Sequence, residues 1–286
     1  MTPSRPVVRD LLDRNGPAPR RDLGQNFVAD PNTVRRIATL ARVGPDHRVV
    51  EIGAGLGSLT LALAETGAHV TAVEVDRGVV PALREVVEHL DHVQVVEADA
   101  MALDWHNLLG THTDWVLVAN LPYNVATPLV CDVLDGVPAV TRLLVMVQRE
   151  VAERFTADPG SKQYGAVSVK IAHWATARIV GDVPASVFVP RPNVESSLVE
   201  IVRHDPPAGD PDELFALVRT AFGQRRKMLR RSLAEVVTPH QFTAAGVDPQ
   251  ARPEQLDLAA WCRLRDTLHG TAGVDDDDAA QESPPS

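Results

Sequence analysis

Apolar runs and helical periodicities alternate along the first two thirds of the chain, and this pattern predicts an α/β layer structure. Short apolar runs bounded by turn residues read as buried strands at 49–52, 70–76, 93–99, 115–119 and 143–147. Stretches with helical spacing lie among them, at 58–64, at 127–134 and from Gln148 onward. Val7, Val8, Leu11 and Leu12 predict a short helix over 4–15, stopped by Gly16-Pro17. Asp30-Pro31 has the form of a helix start, with the helix running to about Arg42. Two β-like runs are expected around Ile171 and at 178–180, and a closing strand over 197–203. Asp205-Pro206-Pro207-Ala208-Gly209-Asp210 reads as a linker. Beyond it the period becomes helical. Helix starts are read at Asp210-Pro211 and Thr238-Pro239, and a last helix runs over 258–268. The expected organisation is an N-terminal helical extension over 1–20, a sheet domain over 21–205, a small all-helical domain over 206–270 and a disordered acidic tail over 271–286.

Composition narrows the class. The 286 residues are 44% apolar, enough for one large domain and a small one. No apolar run is long enough to span a bilayer, and the first nine residues predict no signal peptide. Cys131 and Cys262 are lone thiols without zinc-site spacing, which fits a reducing cytoplasm. Half of the net charge of −10 comes from Asp275, Asp276, Asp277, Asp278 and Glu282 in the tail. The total charge therefore decides little about partners. Arg219, Arg225, Arg226, Lys227, Arg230 and Arg231 cluster without an acid among them. Read as a helix surface, Arg226/Arg230 and Lys227/Arg231 are i,i+4 pairs, and the single sign favours phosphate binding over a plain solvated face.

The candidate chemistry lies at strand ends. Gly53-Ala54-Gly55-Leu56-Gly57 joins a strand to a helix, where glycines let the backbone approach a cofactor. Ser58 replaces the third glycine of the dinucleotide pattern. Glu74 closes the next strand, and a carboxylate there suits two ribose hydroxyls. Asp99 closes the third strand and suits an adenine amino group. Asn120-Leu121-Pro122-Tyr123 ends the fourth. Asn120 offers a side-chain acceptor, Pro122 holds Leu121 extended, and Tyr123 offers a flat face. Two acceptors beside a flat face suit an exocyclic amino group on a planar base. Phe188, on a loop stiffened by Pro190 and Pro192, offers a second wall.

Glu51-Ile52-Gly53-Ala54-Gly55-Leu56-Gly57 resembles the S-adenosylmethionine loop of class I methyltransferases, and Asn120-Leu121-Pro122-Tyr123 the motif of enzymes that methylate exocyclic amino groups. With Gly24-Gln25-Asn26-Phe27, Phe188-x-Pro190-x-Pro192-x-Val194-x-Ser196 and Gln224-Arg225-Arg226-Lys227, the chain is similar over about 5–270 to the small-subunit ribosomal RNA adenine dimethyltransferases of the KsgA/RsmA type. Ala54 in place of a usual Pro, Val28 in place of Leu, and Met228 and Arg231 are small departures. The resemblance implies a Rossmann-like fold with a helical C-terminal domain. It implies S-adenosylmethionine held by Asn26, Val28, Gly53, Gly55, Glu74, Asp99 and Asn120. Chemistry falls to Asn120, Leu121, Pro122, Tyr123 and Phe188, and contact with 16S rRNA of the immature small subunit to Arg225, Arg226, Lys227 and Arg230. No metal or membrane is expected, and a monomer is. The alternatives are a 23S rRNA dimethyltransferase of the macrolide-resistance type and a non-catalytic assembly factor of the same fold.

Overall fold

The structure, a computed structural model, describes residues 25–122 and 124–268. The expected helix over 4–15, Tyr123 and the acidic tail lie outside the described residues. The chain divides into two compact units, one of residues 1–157 and 170–206, the other of 158–169 and 207–286. The segment 158–169, expected within the sheet domain, groups with the helical unit.

The first unit is built on a seven-stranded sheet. Its strands are β2 (Arg48–Ile52), β3 (His69–Glu74), β4 (Val93–Glu97), β5 (Trp115–Asn120), β6 (Val140–Gln148), β7 (Ala175–Val183) and β9 (Ser196–Arg203). They lie in the order β4-β3-β2-β5-β6-β9-β7. β2 to β6 run parallel, and β9 pairs antiparallel with β6 and β7. Two further strands, β1 (Phe27–Val28) and β8 (Phe188–Val189), form a separate antiparallel pair with Phe27 opposite Val189 and Val28 opposite Phe188. The central strands are buried on both faces, which explains their unbroken apolar runs.

Helices α1 (Pro31–Ala41), α2 (Ser58–Ala64), α3 (Val80–Val87), α4 (Trp105–Leu109), α5 (Ala126–Gly136) and α6 (Arg149–Phe155) follow the strands in turn. Asp30 caps α1 by accepting from Thr33 N at 2.9 Å, as Asp30-Pro31 predicts. Val28, Val34, Ile37, Leu59, Leu63, Val118, Met146 and Phe188 belong to one apolar cluster between α1, α2 and the sheet. The run around Ile171 is not a strand: it lies in α7 (Ala166–Trp174). Its β-branched residues favour a strand only weakly, and Val169 and Ile171 are buried within the helix instead. The following run does form a strand, β7.

Arg203 closes this sheet against α5. Its guanidinium donates to the carbonyls of Val133 (3.0 Å), Leu134 (2.8 Å), Val137 (3.3 Å) and Val140 (3.1 Å). Val133 and Leu134 belong to the last turn of α5 and Val137 follows it; Val133 and Val137 each accept a backbone N–H as well, from Val137 and Val140.

The second unit carries α8 (Pro211–Gly223), α9 (Leu229–Ser232), α10 (Pro239–Ala244) and α11 (Leu258–Asp266). Thr238 and Gln241 form a capping box at α10. Leu214, Leu217, Val218, Leu229, Leu233, Phe242 and Trp261 are buried. Phe222 lies 6.2 Å from Tyr164 and 6.1 Å from Trp261, centroid to centroid. The buried Tyr164 hydroxyl donates to the Leu256 carbonyl at 2.9 Å, which binds the 158–169 segment to this unit.

Replacing Arg203 by Ala removes the charged donor from four carbonyls at and just after the end of α5. About 1.5–3 kcal/mol of stability should be lost, the range for a hydrogen-bonded charged group. Urea unfolding with an unchanged m-value measures it; an unaltered midpoint would mean that water replaces the guanidinium fully.

Candidate active site

A cleft of about 830 Å³, open mouth included, lies at the carboxyl ends of β2, β3 and β5. Strand ends are where open α/β sheets bind ligands. Asn26, Val28, Glu51, Gly53, Gly55, Glu74, Asn120, Leu121, Pro122 and Phe188 are among the residues that line it. Nearly all the sequence candidates in this unit thus converge on one place. Asp99 is not among the lining residues; it is exposed, and its Oδ1 caps the turn after β4 by accepting from Met101 N at 2.9 Å.

The glycine-rich turn is shaped by backbone torsion. Gly53, Gly55 and Gly57 have φ of 75°, 56° and 80°. Those are left-handed conformations that side chains disfavour. At Gly55 a Cβ would also come within 3.0 Å of the Phe27 ring. Phe27 therefore covers the turn closely, packed with Leu56, Val79 and Ala82.

Glu74 holds this turn in place. Its Oε2 accepts from Gly55 N at 2.7 Å and its Oε1 from Asp76 N at 2.8 Å. Burial pushes its carboxyl above the usual range, and these backbone donors pull it back. Each oxygen keeps a second lone-pair direction. The network continues outward: Asp76 is buried and its Oδ2 accepts from Gln25 Nε2 at 2.7 Å.

Asn120 is oriented from the other side. Its Nδ2 donates to the Asn26 carbonyl at 2.9 Å. With the amide nitrogen so engaged, Oδ1 is the end left to accept. Leu121 N donates to the Met146 carbonyl at 3.1 Å, so the sheet ladder still holds the chain one residue past β5. Asn26 itself is placed by the adjoining β1–β8 pair, and Ala29 N donates to the Val187 carbonyl at 2.8 Å. Phe188 is 2% exposed: it is part of the apolar core and a wall of the cleft at once.

Sequence reasoning left out two site features. Glu51 is given no role by the sequence reading, only a place in a strand and in the glycine-loop motif, yet it is buried in the cleft wall and its Oε2 has no hydrogen-bond partner among the described residues. Burial raises its carboxyl to about 8; the Thr60 hydroxyl lowers it and the negative Glu74 raises it further. A charged residue inside an apolar run was the available signal. Gln25, the second, was visible only as part of a motif.

The basic cluster departs from the expected helix. α8 ends at Gly223, Arg225, Arg226 and Lys227 lie in a turn, and α9 begins at Leu229. The i,i+4 pairing across 226–231 is therefore not formed on one helix. Leu229 N donates to the Ala251 carbonyl, which fixes the break. Arg226, Lys227 and Arg230 are exposed, whereas Arg225 donates to the Lys162 carbonyl at 2.7 Å and lies 3.8 Å from Glu254.

The family described as ribosomal RNA adenine dimethylase matches residues 17–269. The ribosomal RNA small subunit methyltransferase A of Rhodococcus erythropolis is 46% identical over 272 residues, covering 90% of each chain. Its namesake in Kineococcus radiotolerans is 47% identical over 268 residues, covering 90% of this chain and 88% of its own. The crystal structure of the 23S rRNA methyltransferase ErmE superposes with a TM-score of 0.68 at 26% identity, over 85% of this chain and 99% of its own. A dimethyladenosine transferase from Plasmodium falciparum, at 23% identity and TM-score 0.68 over 82% of this chain and 94% of its own, shares the fold. The conclusion for this α/β chain is direct: it belongs to the ribosomal RNA adenine dimethylase family.

Proposed function

We propose that the chain dimethylates N6 of two adjacent adenosines in the 3′-terminal hairpin of 16S rRNA, with S-adenosylmethionine as donor. On this reading it works in the cytoplasm as a monomer, on the maturing small subunit, and takes part in that subunit's biogenesis. The observation that carries it is Asn120, whose amide is fixed by the Asn26 carbonyl in the same cleft as the Gly53–Gly57 turn and Glu74. The small-subunit relatives at 46% and 47% identity favour 16S over the 23S target named for ErmE, at 26%.

The residues fit such a cofactor. Glu74 has lone pairs left for two ribose hydroxyls. Gly53 and Gly55 let the backbone come close, beside Asn26 and Val28. Asp99 Oδ2 is assigned to the adenine amino group. Glu51 Oε2, which has no hydrogen-bond partner among the described residues, suits a net positive ligand. S-adenosylmethionine supplies an electrophilic methyl on a cationic sulfur, so the leaving group needs no metal.

The chain's residues then handle the target base. Adenine N6 is a poor nucleophile because its lone pair is delocalised into the ring. Asn120 Oδ1 and the Leu121 carbonyl accept its two N–H bonds and aim the lone pair at the cleft, and positioning supplies most of the rate. The base is turned out of its helix to arrive there. Phe188 and, from its place after Pro122, Tyr123 are its stacking partners. Once the methyl is bonded, N6 is cationic and releases one of its two protons to water, so a single N–H remains to be held. In the second unit Arg226, Lys227 and Arg230 are assigned to rRNA phosphates, with Arg225 mainly holding the turn.

Two outcomes are expected. Asn120→Ala should lower single-turnover methylation of undermethylated 30S subunits by about 100-fold or more, since misplacing a reacting group costs about that much. Its subunit binding should match that of the unaltered protein. Methylation at the unaltered rate would remove Asn120 from the chemistry.

The second outcome concerns Glu51. Its folded pKa of about 8 exceeds the ordinary value of 4.5. Its contribution to stability is thus fully present below pH 4.5 and lost as pH rises through 8. Glu51→Gln should therefore gain stability relative to the unaltered protein as pH rises across that window. A cationic ligand favours the ionised form, so cofactor binding at pH 7 should release close to one proton, and close to none in Glu51→Gln. Calorimetry in buffers of different ionisation enthalpy reads this directly; equal proton release in both proteins contradicts the assignment.

A further inference from the structure

The outer strands of the sheet carry a group of arginines that the methylation chemistry does not use. Glu200, on β9, is 3% exposed. Its Oε1 pairs with Arg42, just past the end of α1, and its Oε2 accepts from Arg178 of β7 through Nε at 2.7 Å and Nη2 at 2.6 Å. Arg142, at the start of β6, donates through Nη2 to the Arg42 carbonyl at 3.4 Å, and its buried Nη1 has no partner among the described residues. Toward the other end of β7, Asp182 receives Arg36 on its carbonyl at 3.1 Å, and Arg149 on its carboxylate at 3.5 Å. Ser197 Oγ donates to the same carboxylate at 3.0 Å.

Three guanidinium groups thus meet two carboxylates, and Arg36 and Arg142 sit on backbone carbonyls beside them, in a chain whose net charge is −10. The single Glu200 carboxylate balances only one of the three arginines around it. Burial and the neighbouring Arg42 both push the Arg142 charge toward its neutral form, against the pull of Glu200. The cluster is short of anions. Although paired, the Arg42 and Arg178 side chains stay 59% and 64% exposed, so guanidinium donors face solvent.

The placement is directional. Arg178 and Asp182 sit opposite Glu200 and Ser197, which are three residues apart on β9, about 10 Å along the strand. Asp182 lies opposite Ser197, and Ser197 opposite Val147 near the carboxyl end of β6. That is the end of the sheet at which Asn120 lies, opposite Met146. From β5 across β6 and β9 to β7 is about 14 Å. The arginines therefore begin near the level of the cleft and run away from it down the sheet edge, over a length that takes more than one backbone phosphate.

We propose that Arg36, Arg42, Arg142 and Arg178 form a track for the phosphate backbone of the RNA whose base enters the cleft, with Glu200 as the buried anion that sets its charge. The proposal rests on the RNA-methylating function proposed above. Arginine suits the task because its planar fork matches phosphate geometry.

Binding to 30S subunits lacking the dimethyl groups, measured as a function of salt, tests it. The double variant Arg36→Gln/Arg178→Gln should weaken binding and reduce the log–log salt slope by about 1.5, since each lost phosphate contact contributes about 0.7–0.9. Glu200→Gln keeps the volume and removes the anion, so it should move both readings the opposite way. S-adenosylmethionine affinity should stay constant in all three proteins. Unchanged slopes in both variants, or weaker binding in both, would overturn the track and leave the cluster a device for holding the sheet edge. If the unaltered protein neither binds nor methylates the subunits, the proposed function itself fails, an outcome distinct from a variant that behaves like it.

Discussion

The hydrogen bond from Asn120 Nδ2 to the Asn26 carbonyl, 2.9 Å long, decides which end of the Asn120 amide is free for a ligand. An unrestrained amide would present either a donor or an acceptor. Only an acceptor matches the N–H groups of an exocyclic amine. The bond joins two segments 94 residues apart, so the fold has to bring them together before any chemistry is defined. That task falls to the β1–β8 pair, which ties the chain before α1 to the loop before β9. The packing of Phe27 over Gly55 and of Phe188 into the main core fixes that pair against the sheet.

A second set of contacts makes the same arrangement rigid on the cofactor side. Gly55 N, Glu74, Asp76 and Gln25 are linked by successive hydrogen bonds of 2.7–2.8 Å. Glu74 and Glu51 are both buried, and two carboxyls this close are costly to ionise together. Backbone N–H donors stabilise the charge on Glu74, while Glu51 has none to match and takes the strain as a raised pKa. A cationic ligand would relieve that strain, which links the cleft's electrostatics to what it binds.

Much of the sheet was legible because its central strands are buried on both faces and read as plain apolar runs. Val49–Ile52 and Trp115–Ala119 needed no long-range information, and the acids and Asn at their ends stood out against that background. The short helices α3 and α4 were not read, since neither carries a long enough apolar period. The run around Ile171 was misread because β-branched residues are common to strands and buried helix faces. The basic cluster was read as one helix because charge spacing cannot reveal a backbone break imposed by Ala251, which is distant in sequence. Glu200 and its arginines were invisible for a related reason: β6, β7, β9 and α1 each bring one or two charges, and only the strand register unites them.

The orientation of the Asn120 amide is open to direct observation. Selective labelling of Asn120 Nδ2 and the Asn26 carbonyl carbon allows a scalar coupling across the hydrogen bond to be measured by NMR in the protein without substrate. The account predicts a resolved coupling, with one of the two amide protons protected from exchange relative to the other. Absence of the coupling, with both protons exchanging at the rate of a free amide, would mean that the acceptor is not preset and that the cleft is organised in some other way.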